Sequence, residues 1–316
     1  MASGSKKVIY MALVGNAGIA ITKTIASFLT GSSAMLSEAI HSLVDTCNQL
    51  LLLWGIRQAA KPPDDRFPFG HGKEVYFWSF VVAIMIFAVG AGVSIYEGIK
   101  HLMHPGEMKD PTMNYIVLGI AMVFEGFAWY FAWREFHKQK GDMGYFEAVG
   151  QGKDPTTFVV LFEDSAAMAG LVVAAVGIAL GQITGIAYFD GAASVVIGLI
   201  LGIVAAWLAY ETKGLLIGES ASGQTQDAIR KIVNEQEEID RINELLTMHM
   251  GPDNILVNIS VEFNDSVKLD QIEGAITKLN TSIKFELPHV KRVFIEAESW
   301  KAHKKQADDA TGAPGV

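Results

Sequence analysis

The sequence predicts an α-helical polytopic membrane protein with six transmembrane helices, followed by a small C-terminal α+β domain in the cytosol. Half of its 316 residues are hydrophobic, and its mean hydropathy is positive. Apolar runs of about twenty residues recur along the first two thirds of the chain, and this is the length an α-helix needs to cross a bilayer. After Gly223 the apolar segments become short and amphipathic, as is typical of a water-exposed domain.

The transmembrane domain is predicted over residues 1–213. A tight turn at residues 30–33 leaves no room for a domain, so the first two spans must be antiparallel neighbours. The predicted spans are 8–28, 33–56, 75–100, 114–133, 157–181 and 189–210.

Lysine and arginine are unevenly distributed between the two sides of these spans. The side with the larger number is expected to be cytoplasmic, and six spans place both termini there. We expect an integral membrane protein, of a bacterial inner membrane, without a cleavable signal peptide. The basic residues of the cytoplasmic side are Lys6, Lys7, Arg57, Lys61, Arg66, Lys73, Arg134, Lys138, Lys140 and Lys153, and those of the other side are Lys100 and Lys109.

The C-terminal third reads as α-β-β-α-β, the order of a ferredoxin-like domain. Helical periodicity over 224–234 and 267–285 alternates with strand patterns over 242–250, 255–263 and 289–297. We assign residues 214–300 to this domain and give it a role in dimerisation. Residues 301–316 are polar and contain Gly and Pro, so they are predicted to be a disordered tail.

Composition excludes several classes of function. The net charge of −9 argues against a nucleic-acid partner, which would favour a basic face. The single cysteine, Cys47, excludes an intramolecular disulfide framework and a Cys-rich zinc cluster. The chain lacks His-Glu-x-x-His and a nucleophile with a base at helical spacing, so we do not expect an enzyme.

The second span contains three ionisable residues, Glu38, His41 and Asp45. A charged side chain at the centre of a membrane helix costs roughly 2.5–3.5 kcal/mol on insertion scales, so such groups are functional candidates. His41 and Asp45 are four residues apart, which places them on one helix face, about 6 Å apart along the axis. Both could reach one divalent ion at about 2 Å. Glu38, about two turns from the outer surface, is interpreted as lining a wet vestibule, and a role as a metal ligand is the alternative.

The fifth span offers the other half of a metal site. Glu163 and Asp164 lie about ten residues from its cytoplasmic end, at a depth comparable to that of His41 and Asp45. Adjacent residues point about 100° apart on a helix, so usually only one of the two faces a given partner. Glu125 of the fourth span is left between a proton-relay or water-cavity role and a charge paired with Lys23.

Three motifs carry a resemblance to the cation diffusion facilitator family. They are Gly31-Ser-x-Ala-x-Leu-x-x-x-x-His-Ser-x-x-Asp45, Phe67-Pro-Phe-Gly-His-Gly-Lys-Glu74 and Phe189-Asp-Gly-x-x-Ser194. The resemblance covers nearly the whole chain. It implies a homodimeric exporter of zinc or a neighbouring transition metal, driven by proton antiport.

The resemblance also implies a transport site of two residues on span two and two on span five. His41, Asp45 and Asp164 match it, whereas the first span-five position is Val160. Glu163 is the expected substitute, with Asn48 or a water as the fallback. A subgroup similar to mitochondrial and vesicular zinc transporters carries such a Glu-Asp pair.

Two further metal sites of the family are matched only weakly. In the loop site, Asp64 and His71 match, but Phe67 replaces the middle histidine. In the cytosolic domain, Glu296 and Glu298 stand at strand positions where the family has His and Asp. Carboxylates alone bind zinc less well than imidazoles do, so metal regulation through this domain is left open.

The sequence therefore predicts the export of Zn²⁺ from the cytoplasm in exchange for H⁺. Divalent metal ions, protons, membrane lipid and a second copy of the chain are the expected partners. An exporter of Fe²⁺, Mn²⁺ or Co²⁺ with the same fold is the first alternative, because Glu163 makes the site richer in oxygen. A non-transporting metal-sensing membrane protein is the second, because the ligand at Val160 is missing.

Overall fold

The computed structural model describes residues 3–104 and 112–311. Predictions that fall on Lys109 and on residues 312–316 lie outside this range. The chain divides into two compact units, which comprise residues 1–62 with 73–216 and residues 63–72 with 217–316. The boundary at residue 216 lies close to the one expected at 213, but the loop 63–72 was not expected to group with the C-terminal domain.

The first unit is a bundle of long helices. Its elements are α1 Ser3–Thr30, α2 Ser33–Ala59, α3 Glu74–Met85, α4 Gly92–Met103, α5 Thr112–Lys140, α6 Tyr145–Gln151, α7 Pro155–Thr184 and α8 Tyr188–Ile217. The apolar helices make this an integral membrane protein. Among the residues that the structure describes, five stretches are long and apolar enough to cross a membrane, namely Ala12–Thr30, Glu74–Met103, Thr112–Lys140, Pro155–Thr184 and Tyr188–Ile217.

Helix α2 is also long, but it is too polar to count among these five candidate membrane spans. It buries Glu38, His41, Asp45, Asn48 and Gln49. It packs against α1, α3, α4 and α7, so much of its surface meets protein rather than lipid. A helix enclosed in this way can carry polar side chains that a lipid-facing helix could not.

The third predicted span is interrupted. Residues Ile86–Ala91 form a π-helical segment between α3 and α4, whereas the sequence predicts one continuous helix. The hydrophobic pattern of a sequence shows which residues avoid water. It does not show where a helical turn contains one extra residue, so the π-helical segment could not be predicted from it. On α4, Gly98 lies against the backbone of Gly191 in α8, so small residues permit this close contact.

The hydrophilic stretch after the fourth span is more structured than expected. Helix α5 continues to Lys140, and α6 follows as a separate short helix. A hydrogen bond between two aromatic side chains joins α5 to α6, because Trp133 Nε1 donates to the Tyr145 hydroxyl at 2.7 Å. A tyrosine with a hydrogen-bond partner can pack in a position that its polarity alone would not suggest.

The C-terminal unit confirms the predicted α-β-β-α-β order. Strands β1 and β2 pair antiparallel and β2 and β3 pair parallel, so the sheet order is β1-β2-β3. Its core is formed by alternate residues of β2, Val257, Ile259 and Val261, packed on Leu279 and Ile283 of the second helix. The elements are α9 Gly223–Asn234, β1 Ile239–Gly251, β2 Asn254–Phe263, α10 Leu269–Glu286, β3 Val290–Ala297 and α11 Trp300–Thr311.

The disordered tail predicted for residues 301–316 is wrong for the residues that the structure describes. Helix α11 covers Trp300–Thr311. Ser299 accepts a hydrogen bond from the Ala302 amide at 3.3 Å, and such a bond satisfies one of the free amides at a helix start. The Arg241 guanidinium lies over the Trp300 ring, 5.7 Å from its centroid. This long-range contact is not visible in the local composition.

Candidate metal centre between α2 and α7

His41 and Asp45 face the same direction on α2. The His41 Nδ1 atom lies 3.2 Å from Asp45 Oδ1, and the two side chains are 0% and 1% exposed. Helical spacing of four residues places side chains one above the other, so the sequence correctly predicts their proximity. An imidazole and a carboxylate are thus held together inside the bundle.

Both acidic residues of α7 are buried at the contact with α2. Asn48 Nδ2 donates to Glu163 Oε1 at 2.7 Å, so Glu163 has a direct partner on α2. Asp45 lies within electrostatic range of the same carboxylate. Asp164 lies within electrostatic range of Glu163 and of Asp45. Asn48, considered above as a fallback ligand, contacts Glu163 through its amide nitrogen, and its Oδ1 atom has no hydrogen-bond partner among the described residues.

The atoms of this cluster are mostly acceptors that have no donor. Within the described part of the chain, no hydrogen-bond partner is present for either ring nitrogen of His41, Asp45 Oδ1, Glu163 Oε2 or Asp164 Oδ2. Buried polar atoms are normally satisfied, and neighbouring carboxylates repel strongly where the dielectric constant is low. The arrangement therefore needs a cation or protons to be stable.

The donors have not converged on one point. Among residues 3–104 and 112–311, no group of three His, Cys, Asp or Glu side chains is arranged to hold a metal ion. Val160, at the position where the resemblance implies a fourth ligand, is fully buried and apolar. Metal binding here requires side chains or helices to move closer together.

A second buried ionic cluster lies beside the first. Lys23 of α1 contacts Glu38 Oε2 at 3.0 Å and the Ser42 hydroxyl at 2.9 Å. Its ammonium is 3.9 Å from Glu125 Oε1. The interpretation of Glu38 as lining a wet vestibule is wrong, because it is 0% exposed and paired. An antiparallel neighbour with a buried lysine was the signal that could have predicted this pair.

Two of the sequence motifs meet at the start of α2. Asp190 of α8 accepts hydrogen bonds from the Ser32 hydroxyl at 2.6 Å and from the Ser33 amide at 2.6 Å. A carboxylate at a helix N-terminus satisfies free amides and complements the helix dipole. Asp190 thereby anchors the helix that carries His41 and Asp45.

The loop residues Asp64 and His71 are brought together. His71 Nε2 lies 2.9 Å from Asp64 Oδ2, and this hydrogen bond lowers the pKa of the Asp64 carboxyl. The Phe67 ring packs 4.6 Å from the His71 ring, centroid to centroid. Gly72 follows in the same loop, and a Cβ there would collide with the Met250 carbonyl oxygen. Asp64 and His71 are therefore two preassembled potential ligands, and no third His, Cys, Asp or Glu joins them within the described part of the chain.

The two glutamates of the C-terminal domain have different surroundings. Glu298 Oε2 lies 3.0 Å from His303 Nδ1 and accepts a hydrogen bond from the Ser260 hydroxyl at 3.2 Å. Glu296 is exposed on β3. His303 belongs to α11. Because the sequence analysis assigned residues 301–316 to a disordered tail, it could not identify His303 as a partner of Glu298.

Comparisons with known proteins agree with this architecture. A family model described as the cation efflux transmembrane domain matches residues 9–217. The chain is 35% identical over 266 residues to the proton-coupled zinc antiporter SLC30A9, mitochondrial, of Xenopus laevis, covering 84% of this chain and 48% of the relative. It is 33% identical over 267 residues to the human protein of that name, covering 84% and 47%.

A plant relative extends the comparison. Metal tolerance protein C4 of Arabidopsis thaliana is 29% identical over 237 residues, covering 74% of this chain and 52% of the relative. The chain spans about half the length of these curated relatives. The family model and the relatives together show that the chain belongs to the cation efflux, or cation diffusion facilitator, family of metal transporters.

Proposed function

We propose that this protein exports a divalent transition metal, Zn²⁺ first, from the cytoplasm in exchange for H⁺. His41, Asp45, Asp164 and Glu163 form the transport site in this proposal. The observation that carries it is the set of buried acceptor atoms on α2 and α7 that lack donors within the described residues. Such acceptor atoms can bind a metal cation, and protons can bind to them after the metal has left.

The donor types fit the proposed cargo. Zinc is bound by imidazole nitrogen and carboxylate oxygen at about 2.0–2.2 Å, usually by four ligands. These ligands bind metal only when deprotonated, so loading the metal releases protons. The cycle that follows has one site, opened in turn to each side of the membrane, which carries metal outward and protons inward. Asn48 positions Glu163 on the α2 side throughout.

The relatives named as proton-coupled zinc antiporters support zinc as the cargo and coupling to protons. The excess of lysine and arginine in the connections between spans supports cytoplasmic termini. We propose that the protein works as a homodimer through its C-terminal domain, in a bacterial inner membrane, as a transporter and not as an enzyme. The weakly matched sites at Asp64 with His71, and at Glu296 and Glu298, are left without a transport role.

An exporter of Fe²⁺, Mn²⁺ or Co²⁺ is the second candidate. Three carboxyl groups accompany one imidazole in the cluster, and Val160 supplies no further nitrogen. Oxygen ligands shift preference toward harder cations such as Mn²⁺. Competition between these ions and zinc in the same transport assay decides between the candidates. A metal sensor that has lost transport would bind zinc without moving it.

Flux into proteoliposomes tests the proposal. Purified protein is reconstituted around a trapped zinc-sensitive dye, and a pH gradient is imposed in each direction. We expect zinc entry to follow the sign of the gradient and to be lost in Asp45→Ala and His41→Ala. Ser37→Ala is the matched control, since Ser37 is an equally buried residue of α2. Gradient-independent flux, or normal flux in Asp45→Ala, would refute proton-coupled transport at this site.

A further inference from the structure

Glu125 is a buried acid whose surroundings do not account for its charge. It lies on α5 and is 0% exposed. Over residues 3–104 and 112–311, neither of its carboxylate oxygens has a hydrogen-bond partner. Burying an ionised acid in the membrane interior without hydrogen bonds costs free energy. A bound cation would offset that cost for Glu125.

Lys23 does not fill that need. Its ammonium lies 3.9 Å from Glu125 Oε1, which is beyond hydrogen-bonding distance. The same ammonium holds shorter contacts to Glu38, at 3.0 Å, and to the Ser42 hydroxyl, at 2.9 Å. Glu38 is therefore the principal counter-ion of Lys23, and Glu125 is only loosely held on this side.

The face of α5 that carries Glu125 is directed toward α7. Trp129, one helical turn further along α5, donates its Nε1 hydrogen to Ser165 Oγ at 2.9 Å. Ser165 is the residue after Asp164. The carboxyl group of Glu125 lies within electrostatic range of Asp45, Asp164 and Glu163. A cation at the proposed transport site would therefore attract Glu125 as well.

We propose that Glu125 is a ligand of the transported cation, supplied by α5 in place of the donor that is missing at Val160. This inference rests on the proposed function and extends its site to a third helix. In this structure the Glu125 carboxylate lies 3.9 Å from the Lys23 ammonium, and on metal binding it would turn toward the α2–α7 cluster. The site then consists of His41 and an excess of carboxylate oxygens, which suits Zn²⁺ and also accommodates Mn²⁺ or Co²⁺.

A binding measurement separates a ligand from a proton relay. Zinc affinity of the purified full-length protein is measured at one pH by competition with a chromophoric chelator. Glu125→Gln should weaken binding by at least the roughly 10- to 100-fold that the loss of an outer-shell partner costs. Asn114→Ala is the matched control, because Asn114 is another polar residue of α5 that is 0% exposed, and it should leave zinc affinity nearly unchanged.

A compensating variant sharpens the test. Val160→His restores a nitrogen donor on α7, so it should return zinc affinity to the Glu125→Gln protein. The absorption spectrum of bound Co²⁺ should change in Glu125→Gln, since the ligand set changes, and remain unchanged in Asn114→Ala. If Glu125→Gln does not fold, Glu125→Asp replaces it, and the shortened side chain should also weaken binding.

Wild-type zinc affinity in Glu125→Gln, or in Glu125→Asp where that variant is needed, would overturn the inference, even if transport were lost. His41→Ala distinguishes this failure from that of the proposed function. Unchanged affinity in His41→Ala contradicts the transport site itself. Lost affinity in His41→Ala together with full affinity in Glu125→Gln refutes only the role of Glu125.

Discussion

Removing the ammonium of Lys23 should strongly destabilise the helix bundle. Lys23→Met keeps much of the side-chain length but leaves Glu38 buried without its counter-ion. The two groups are 3.0 Å apart and both 0% exposed. Breaking one partner of a buried ion pair costs about 3–5 kcal/mol. At about 2–4 °C per kcal/mol for a large domain, the melting temperature should fall by about 6–20 °C.

The double variant Lys23→Met with Glu38→Gln separates the ion pair from packing. It removes both charges, so most of the loss should be recovered, leaving about 1–3 kcal/mol for a buried amide with incomplete hydrogen bonds. Thermal unfolding of the detergent-solubilised protein, followed by tryptophan fluorescence, measures all three proteins. A single variant as stable as wild type, or a double variant less stable than the single one, would show that the Lys23–Glu38 ion pair does not stabilise the bundle.

Two further predictions concern other parts of the molecule. A Cβ at Gly98 would lie 2.9 Å from the backbone carbonyl oxygen of Gly191, so Gly98→Ala should cost about 1–3 kcal/mol in the same melting assay. Gly119→Ala is its control, with open space around the position, and a cost there equal to that at Gly98 would contradict this. The Asp64 pKa is lowered from 3.8 by its hydrogen bond to His71. The stabilisation is present above the ordinary pKa and lost as pH falls through the folded-state value. Carboxyl-carbon NMR should show this pKa rising toward 3.8 in His71→Ala, and an unchanged value would count against the bond.

The features readable from sequence were those that depend on local pattern. Hydrophobic length located the membrane helices, and an imidazole and a carboxylate at helical spacing located His41 and Asp45. Alternating polarity and turn residues located the sheet of the C-terminal domain. Each of these signals comes from residues within a few turns of one another, so no tertiary knowledge was needed.

The missed features depend on which helix faces which. The pairing of Lys23 with Glu38 requires a knowledge of rotation about two helix axes. So does the hydrogen bond from Asn48 to Glu163. Helix α11 depends partly on the contact of Trp300 with a distant strand, and the π-helical segment depends on backbone register. None of these has a local sequence signature strong enough to be separated from ordinary packing.

Locating the cargo directly is the sharpest test of the central claim. X-ray absorption at the zinc edge, on zinc-loaded protein and on Asp45→Ala, reports the ligands and their distances. We expect nitrogen and oxygen ligands at about 2.0–2.2 Å, including imidazole, with no sulfur, and loss of this signal in Asp45→Ala. An unchanged spectrum in Asp45→Ala would contradict a metal centre between α2 and α7.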